Sequence, residues 1–172
     1  MPRQLAKRSS SEELAQLLQS LFAAELIAPS RDFWIVSPWI SDIPLLDNRD
    51  GSFQHLEPTW PTSTVRLSQV LGKLVGLGTN LRIACRPDER NLEFINNLDS
   101  TTEGSRTQLS IFRSNDLHEK GILGDSFYLS GSMNLTYYGL TVNEEALQLH
   151  TDLEFIAEKR LHLASRWSLE GE

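Results

Sequence analysis

The sequence predicts an α/β fold, a mixed β-sheet with helices packed on both faces. Two observations carry the prediction. Short apolar runs of strand length recur along the chain, and between them lie segments whose apolar residues return every three or four positions, the spacing of an amphipathic helix. A third observation bounds it: with 40% hydrophobic and 23% charged residues among 172, usage is that of an ordinary globular chain of one domain. No internal repeat is visible.

The elements follow in order. Ser10 to Glu13 has the form of a capping box ahead of Leu14, Leu17, Leu18, Leu21, Phe22 and Leu26, a helical stripe that reads as core or as a dimer seam. Asp32 to Ile40 (DFWIVSPWI) is a buried strand stopped by Pro38. Ser41 to Thr64, with Pro44, Pro58 and Pro61, lacks either periodicity and reads as a long loop, a feature that in compact domains tends to be functional or mobile. Trp39, His55 and Trp60 are its candidates for stacking on a substrate, with simple packing the ordinary alternative for each.

Val65 to Leu77 has helical spacing and ends at Gly78, a residue suited to a left-handed cap. Asn80 to Cys85 is a strand, Asp88 to Leu98 a helix behind Pro87, and Asp99 to Thr107 a polar surface loop. Three strands are expected at Gln108 to Phe112, Leu117 to Leu123 and Phe127 to Gly131, then a short helix from Asn134 and a strand from Glu145 to Leu149. A last helix from Asp152 to Trp167 places Leu153, Ile156, Ala157 and Leu161 on one face. His150 and His162 have no motif partners and read as structural or exposed.

Charge and composition narrow the function. The single cysteine, Cys85, excludes an intramolecular disulfide and sits where a small buried strand residue belongs. The N-terminal stretch lacks an apolar core of signal length and no segment approaches a membrane span, so a cytoplasmic location is expected. The net charge of −7 disfavours a polyanionic partner, because nonspecific nucleic-acid binding draws on Lys and Arg contacts. Arg82, Arg86, Arg90 and Arg113 are placed either to form a basic rim or simply to solvate the ends of their elements.

Residues 117 to 149 carry the chemistry. In an extended segment His118 and Lys120 fall on one face and Glu119 on the other, so that an imidazole and an ammonium project side by side. A neutral imidazole can attack phosphorus, and a fixed cation beside it can stabilise the charge that builds on the equatorial oxygens. The ordered set His118, Lys120, Asp125, Gly131, Ser132, Asn134 and Glu145, with Asn143 just before that glutamate, resembles the HxKx4D and GSxN signature of the phospholipase D superfamily.

That resemblance implies roles. His118 is the expected nucleophile. Lys120 and Asn134 are expected to hold the non-bridging phosphate oxygens beside the hydroxyl or amide of Ser132, and Gly131 to let backbone approach the anion. Glu145 is expected to hydrogen-bond an imidazole, and Asp125 to serve a structural or histidine-orienting role. Members of the superfamily typically bring two such motifs together, whereas this chain has one and no second HxK. A homodimer with both His118 side chains across one phosphate is therefore implied, needing no metal and no other cofactor. The implied domain organisation is a disordered segment over 1–10 followed by a single phospholipase D-like domain over 11–172.

Three functions fit. The first is a metal-independent phosphodiesterase that cuts nucleic acid, DNA before RNA, since short single-motif members are nuclease-like. The second is a phospholipid phosphodiesterase or transferase, for which the sequence offers no apolar or amphipathic anchor. The third is a non-catalytic nucleic-acid-binding subunit working with other proteins. A more specific resemblance is to phospholipase D-like proteins of bacterial systems that place 7-deazaguanine derivatives in DNA, which implies a restriction role.

Overall fold

The computed structural model describes residues 11–102, 104, 106–141 and 146–168. Expectations for residues 1–10, Asn143 and Glu145 lie outside the described residues. Chain order runs α1 (Ser11–Ile27), β1 (Asp32–Val36), β2 (Pro44–Asp47), β3 (Thr64–Arg66), α2 (Leu67–Gly76), β4 (Asn80–Cys85) and α3 (Leu92–Thr101). It continues with β5 (Leu109–Arg113), β6 (Gly121–Leu123), β7 (Tyr128–Gly131), α4 (Tyr137–Thr141), β8 (Leu147–His150) and α5 (Leu153–Arg166).

One six-stranded sheet organises the chain, in the order β5-β4-β1-β6-β7-β8. β1, β4 and β5 are mutually parallel, and β6, β7 and β8 continue the sheet antiparallel. Alternation along each strand sorts side chains onto two faces. Phe33, Ile35, Ile83 and Leu129 enter the larger core, which takes Leu14, Leu18 and Phe22 of α1, Leu71 and Leu74 of α2, and Phe94 and Leu98 of α3. Trp34, Val36, Ala84 and Tyr128 face the other way, onto Ile156 and Leu163 of α5 and the Trp167 that follows it. The fold is thus the mixed sheet with helices on both faces that the sequence predicts, with β1 in its interior and α1 spent on the core.

Several boundaries differ for identifiable reasons. The 41–64 segment is not loop throughout, since β2 lies within it and pairs antiparallel with β3, which starts at its last residue, and Asp42 ties its start to α2 and α3. The buried Asp42 carboxylate accepts from Ser68 N and Oγ at 2.8 and 2.9 Å and from Asn97 Nδ2 at 2.8 Å. Trp60 is core and His55 is exposed. The strand expected from Leu117 begins only at Gly121, because its neighbour β1 ends at the Val36–Gly121 pair and turns away toward Pro38. α5 buries Ile156 and Leu163, whereas Leu153 and Leu161 are 69% and 73% exposed. The face differs from the expected one because Arg160 occupies the turn between the two buried residues and reaches the start of β1 and the β6–β7 turn. Gly78 adopts φ 102°, the left-handed conformation that closes α2.

The β6–β7 connection is fixed at its turn by polar contacts. Asp125 accepts from Arg31 N at 2.8 Å and pairs with Arg160 at 2.9 Å. Arg160 also donates to the carbonyls of Asp32 and Gly124, at 2.7 and 2.8 Å. Ser30 Oγ accepts from Asp125 N and donates to the buried Glu25, whose carboxyl is pushed up by desolvation. One arginine therefore joins α5, the start of β1 and the β6–β7 turn. Arg160→Ala should cost about 2–3 kcal/mol, since it strips a charged donor from partly buried acceptors. Urea denaturation at neutral pH checks this, and a loss under about 0.5 kcal/mol would mean that water replaces the contacts.

Candidate active site

The candidate site lies at the C-terminal ends of the parallel strands, where α/β sheets place ligands. β1 delivers Ser37 and Trp39, β4 delivers Arg86, and β5 ends in Arg113. β6 starts and β7 stops at this same end, with Gly121 paired to Ser130. The hairpin thus brings His118 and Lys120, just before β6, beside Gly131, Ser132 and Asn134, at and after the end of β7. Lys120 and Gly131 line one small pocket together with Ser37 and Met133.

His118 is exposed on an irregular stretch whose anchor is the fully buried Leu117. Arg86 Nε donates to the Leu117 carbonyl at 2.9 Å, and its Nη2 lies 3.2 Å from His118 Nδ1 and 3.3 Å from Nε2. Lys120 Nζ donates to the His118 carbonyl at 2.8 Å. Glu119 turns the other way, to Arg166 at 3.0 Å and toward Tyr128, as the alternation predicts. Burial, and the Glu119 carboxylate after it, push the Tyr128 phenol up to about 12.

Behind Arg86 stands a rigid support. Its guanidinium carbon lies 5.1 Å from the Trp39 ring centre, and that of Arg90 lies 4.2 Å away. Trp39 Nε1 donates to Asp88 at 3.1 Å, and Asp88 is held by both ends of the Arg90 fork at 2.9 and 2.7 Å, which depresses its pKa strongly. The buried Asn91 knits the two loops: it accepts from Ile40 N at 2.7 Å and donates to the carbonyls of Arg86 and Pro38 at 2.8 and 3.1 Å. Ser37 Oγ donates to Trp39 O at 2.8 Å and accepts from Leu135 N at 3.2 Å, so the same loop is fastened to the chain just after Asn134.

On the β7 side Gly131 and Ser132 meet the chain entering β8. A Cβ at Gly131 would collide with the Ala146 carbonyl oxygen. Ser132 helps to close that junction, its amide donating to Ala146 O and its hydroxyl accepting from Ala146 N, both at 3.1 Å. Asn134 is half-buried, and its amide oxygen is buried without a hydrogen-bond partner among the described residues. Of the two amide ends, only Nδ2 can donate a hydrogen bond to an anion. Asp125 sits at the opposite, turn end of the hairpin in the Arg31 and Arg160 contacts, so its place is structural. His150, stacked on Phe155 at 4.5 Å, and the exposed His162 stand apart from the site. Cys85 is fully buried, its thiol pushed up by desolvation.

The sequence leaves Arg86 either on a basic rim or simply at a solvated strand end, and gives Ser37 and Asn91 no part. The available signal was position: Arg86 directly follows an apolar strand, and the end of a parallel strand is a favoured place for functional groups.

The sequence matches no protein-family model and no curated relative, so its relationships appear in the fold. Nuc from Salmonella typhimurium, a phospholipase D family member, superposes with a TM-score of 0.58 at 13% identity over 87% of this chain and 86% of that one. NucT from Helicobacter pylori gives 0.58 at 15% identity, over 90% and 89%. The phosphatidylserine synthase of Haemophilus influenzae Rd KW20 gives 0.56 at 14% identity, over 94% of this chain and 36% of that one. The chain shares the fold of these proteins.

Gly131→Ala should destabilise the protein by about 1–3 kcal/mol through overpacking against the chain entering β8. His118→Ala, at an exposed position, should stay within about 0.5 kcal/mol of wild type. Parallel urea melts distinguish the two, and equal costs would contradict the placement.

Proposed function

We propose that the protein is a phosphodiesterase of the phospholipase D type, a nuclease acting on DNA through a phosphohistidine intermediate. The observation that supports this reading is the hairpin, whose open end brings the segment bearing His118 and Lys120 next to the segment bearing Asn134, with the Arg86 guanidinium against His118. Attack by a ring nitrogen of His118 forms an N–P bond as the bond to the leaving oxygen breaks. Lys120, Asn134 Nδ2 and backbone then meet the charge on the non-bridging oxygens. Water attack on phosphorus breaks the N–P bond and restores the imidazole.

Protonating the leaving oxygen requires an acid, and among the described residues no second histidine lies at this end of the sheet. The proposed source is the same site in a second copy of the chain, with two His118 side chains sharing one phosphate across a two-fold axis. Glu145 is proposed to orient the imidazole across that junction.

Nucleic acid is preferred to lipid on one observation. Tyr137 and Tyr138, shortly after the GSMN segment, are 57% and 68% exposed and meet edge-to-face at 6.3 Å, a surface on which bases can stack. The restriction role suggested by the 7-deazaguanine systems, with partner proteins of such a system, is the most specific form of this proposal.

Cleavage of labelled DNA, RNA and bis(p-nitrophenyl) phosphate in EDTA tests the reading. Activity should persist in EDTA and vanish in His118→Ala, while Lys120→Ala and Asn134→Ala should each lose about 100- to 1000-fold in turnover. Loss on chelation with recovery on added magnesium would contradict a side-chain mechanism.

The shared site makes a separate prediction. When wild-type and His118→Ala chains are unfolded together and refolded in equal amounts, roughly a quarter of the dimers should keep both histidines. Activity should then fall with the square of the wild-type fraction. A linear dependence, or a fully active monomer in sedimentation, would rule the shared site out.

A further inference from the structure

We propose that Arg86 is a catalytic residue that binds the phosphoryl group directly, a cation additional to Lys120 supplied by the loop after β4. The proposal rests on the phosphodiesterase reading above, which does not itself require this arginine.

Geometry makes the case. The Arg86 Nη2 is nearly equidistant from the two ring nitrogens of His118, at 3.2 and 3.3 Å. A donor aligned in the ring plane with one lone pair would stand far from the other nitrogen, so the guanidinium lies over the face of the imidazole. The Arg86 contact lies along neither ring lone pair, so one nitrogen can attack phosphorus while the other carries the ring proton. Whichever nitrogen takes the phosphoryl group, an oxygen on that phosphorus falls within hydrogen-bond reach of the Arg86 fork. Its planar donors suit a group with several charged oxygens.

Preorganisation is the second strand. Lys120, the motif cation, spends one of its donors on the His118 carbonyl at 2.8 Å. Arg86 spends Nε on Leu117 O at 2.9 Å, a bond that aims the fork along the segment bearing His118. Trp39 backs the guanidinium at 5.1 Å, and Asn91, 1% exposed, fixes the Arg86 carbonyl at 2.8 Å. A fork held this way needs little reorganisation when charge develops, the condition under which a donor lowers a barrier most. In the step itself, the imidazole lone pair forms the N–P bond as the P–O bond to the leaving oxygen breaks. That oxygen takes its proton from the second copy's imidazolium, and Arg86 gives up no proton, acting by charge and hydrogen bonds alone.

Two readouts on the full-length chain test this. With bis(p-nitrophenyl) phosphate, Arg86→Ala should lose about 100- to 1000-fold in kcat with a smaller change in KM, as expected for a donor used most in the transition state. Arg86→Lys or added guanidinium ion at a non-denaturing concentration should recover part of the loss, while neither His118→Ala with guanidinium nor the distant control Arg49→Ala should change from its own baseline. Separately, inorganic phosphate titrated into protein labelled with 15N-histidine should shift the His118 ring signals in wild type, and at least tenfold more phosphate should be needed in Arg86→Ala. Full kcat in Arg86→Ala, a loss that neither lysine nor guanidinium relieves, or phosphate binding that is absent in wild type or indifferent to Arg86 would overturn the proposal. If phosphate binding depends on Arg86 but wild type cleaves none of the diesters, the anion site stands and the phosphodiesterase reading falls.

Discussion

The antiparallel pairing of β6 with β1 is the constraint on which the rest depends. Three strands run parallel, and in such a sheet the loops at their C-terminal ends converge on one edge. By reversing direction beside β1, β6 presents its beginning at that edge, and β7 brings its end back to it. A stretch that precedes a strand and a stretch that follows the next strand thus meet each other and also meet the loops after β1 and β4. A parallel β6 would have carried His118 and Lys120 to the far side of the sheet, away from Arg86 and Trp39.

What locks this arrangement differs at the two ends of the hairpin. At the turn, Asp125, Arg31, Ser30 and Arg160 hold the connection to α5 and β1, and the nearby Glu25 is buried, its carboxyl pushed up by desolvation. At the open end, Asn91 and Ser37 supply a polar scaffold made almost wholly of bonds to backbone. Such bonds fix loops more firmly than exposed ion pairs do, because the groups they satisfy cannot turn to water without opening the core. The motif aspartate and the motif histidine therefore belong to two different stabilising systems, although seven residues separate them in sequence.

How far the sequence discloses this varies with the kind of information. Periodicity located β4 residue for residue and α1 and α2 to within a few positions, because burial on a single face leaves a direct mark on residue type. It missed β2 and β3, whose pairing is with each other across a proline-containing segment, and it overextended β6, whose length is set by where β1 ends. The face of α5 was misjudged since leucines at helical spacing stay exposed there, and only the tertiary contact of Arg160 reveals the orientation. The spacing of the motif pointed to His118, Lys120 and Asn134 without help from the fold. Arg86, 32 positions upstream of His118, enters through strand order, which one sequence does not encode in any local pattern.

Strand order also bears on the acidic balance of the chain. A net charge of −7 is a property of the whole surface, and at physiological ionic strength exposed charges act over only about 8 Å. A phosphate at the open end of the hairpin would meet Arg86 and Lys120 within hydrogen-bond range, with Arg113 at the same edge. Asp88, the acidic group nearest in the chain to Arg86, is neutralised by the Arg90 fork and turned to the Trp39 indole. Glu119 is likewise drawn off, across the sheet to Arg166. Asp88 and Glu119 are thus paired away, while Arg86 lies against the imidazole and Lys120 on the His118 carbonyl. Global charge governs how readily a polyanion approaches, whereas the local field at this end of the sheet is set by the cations held there.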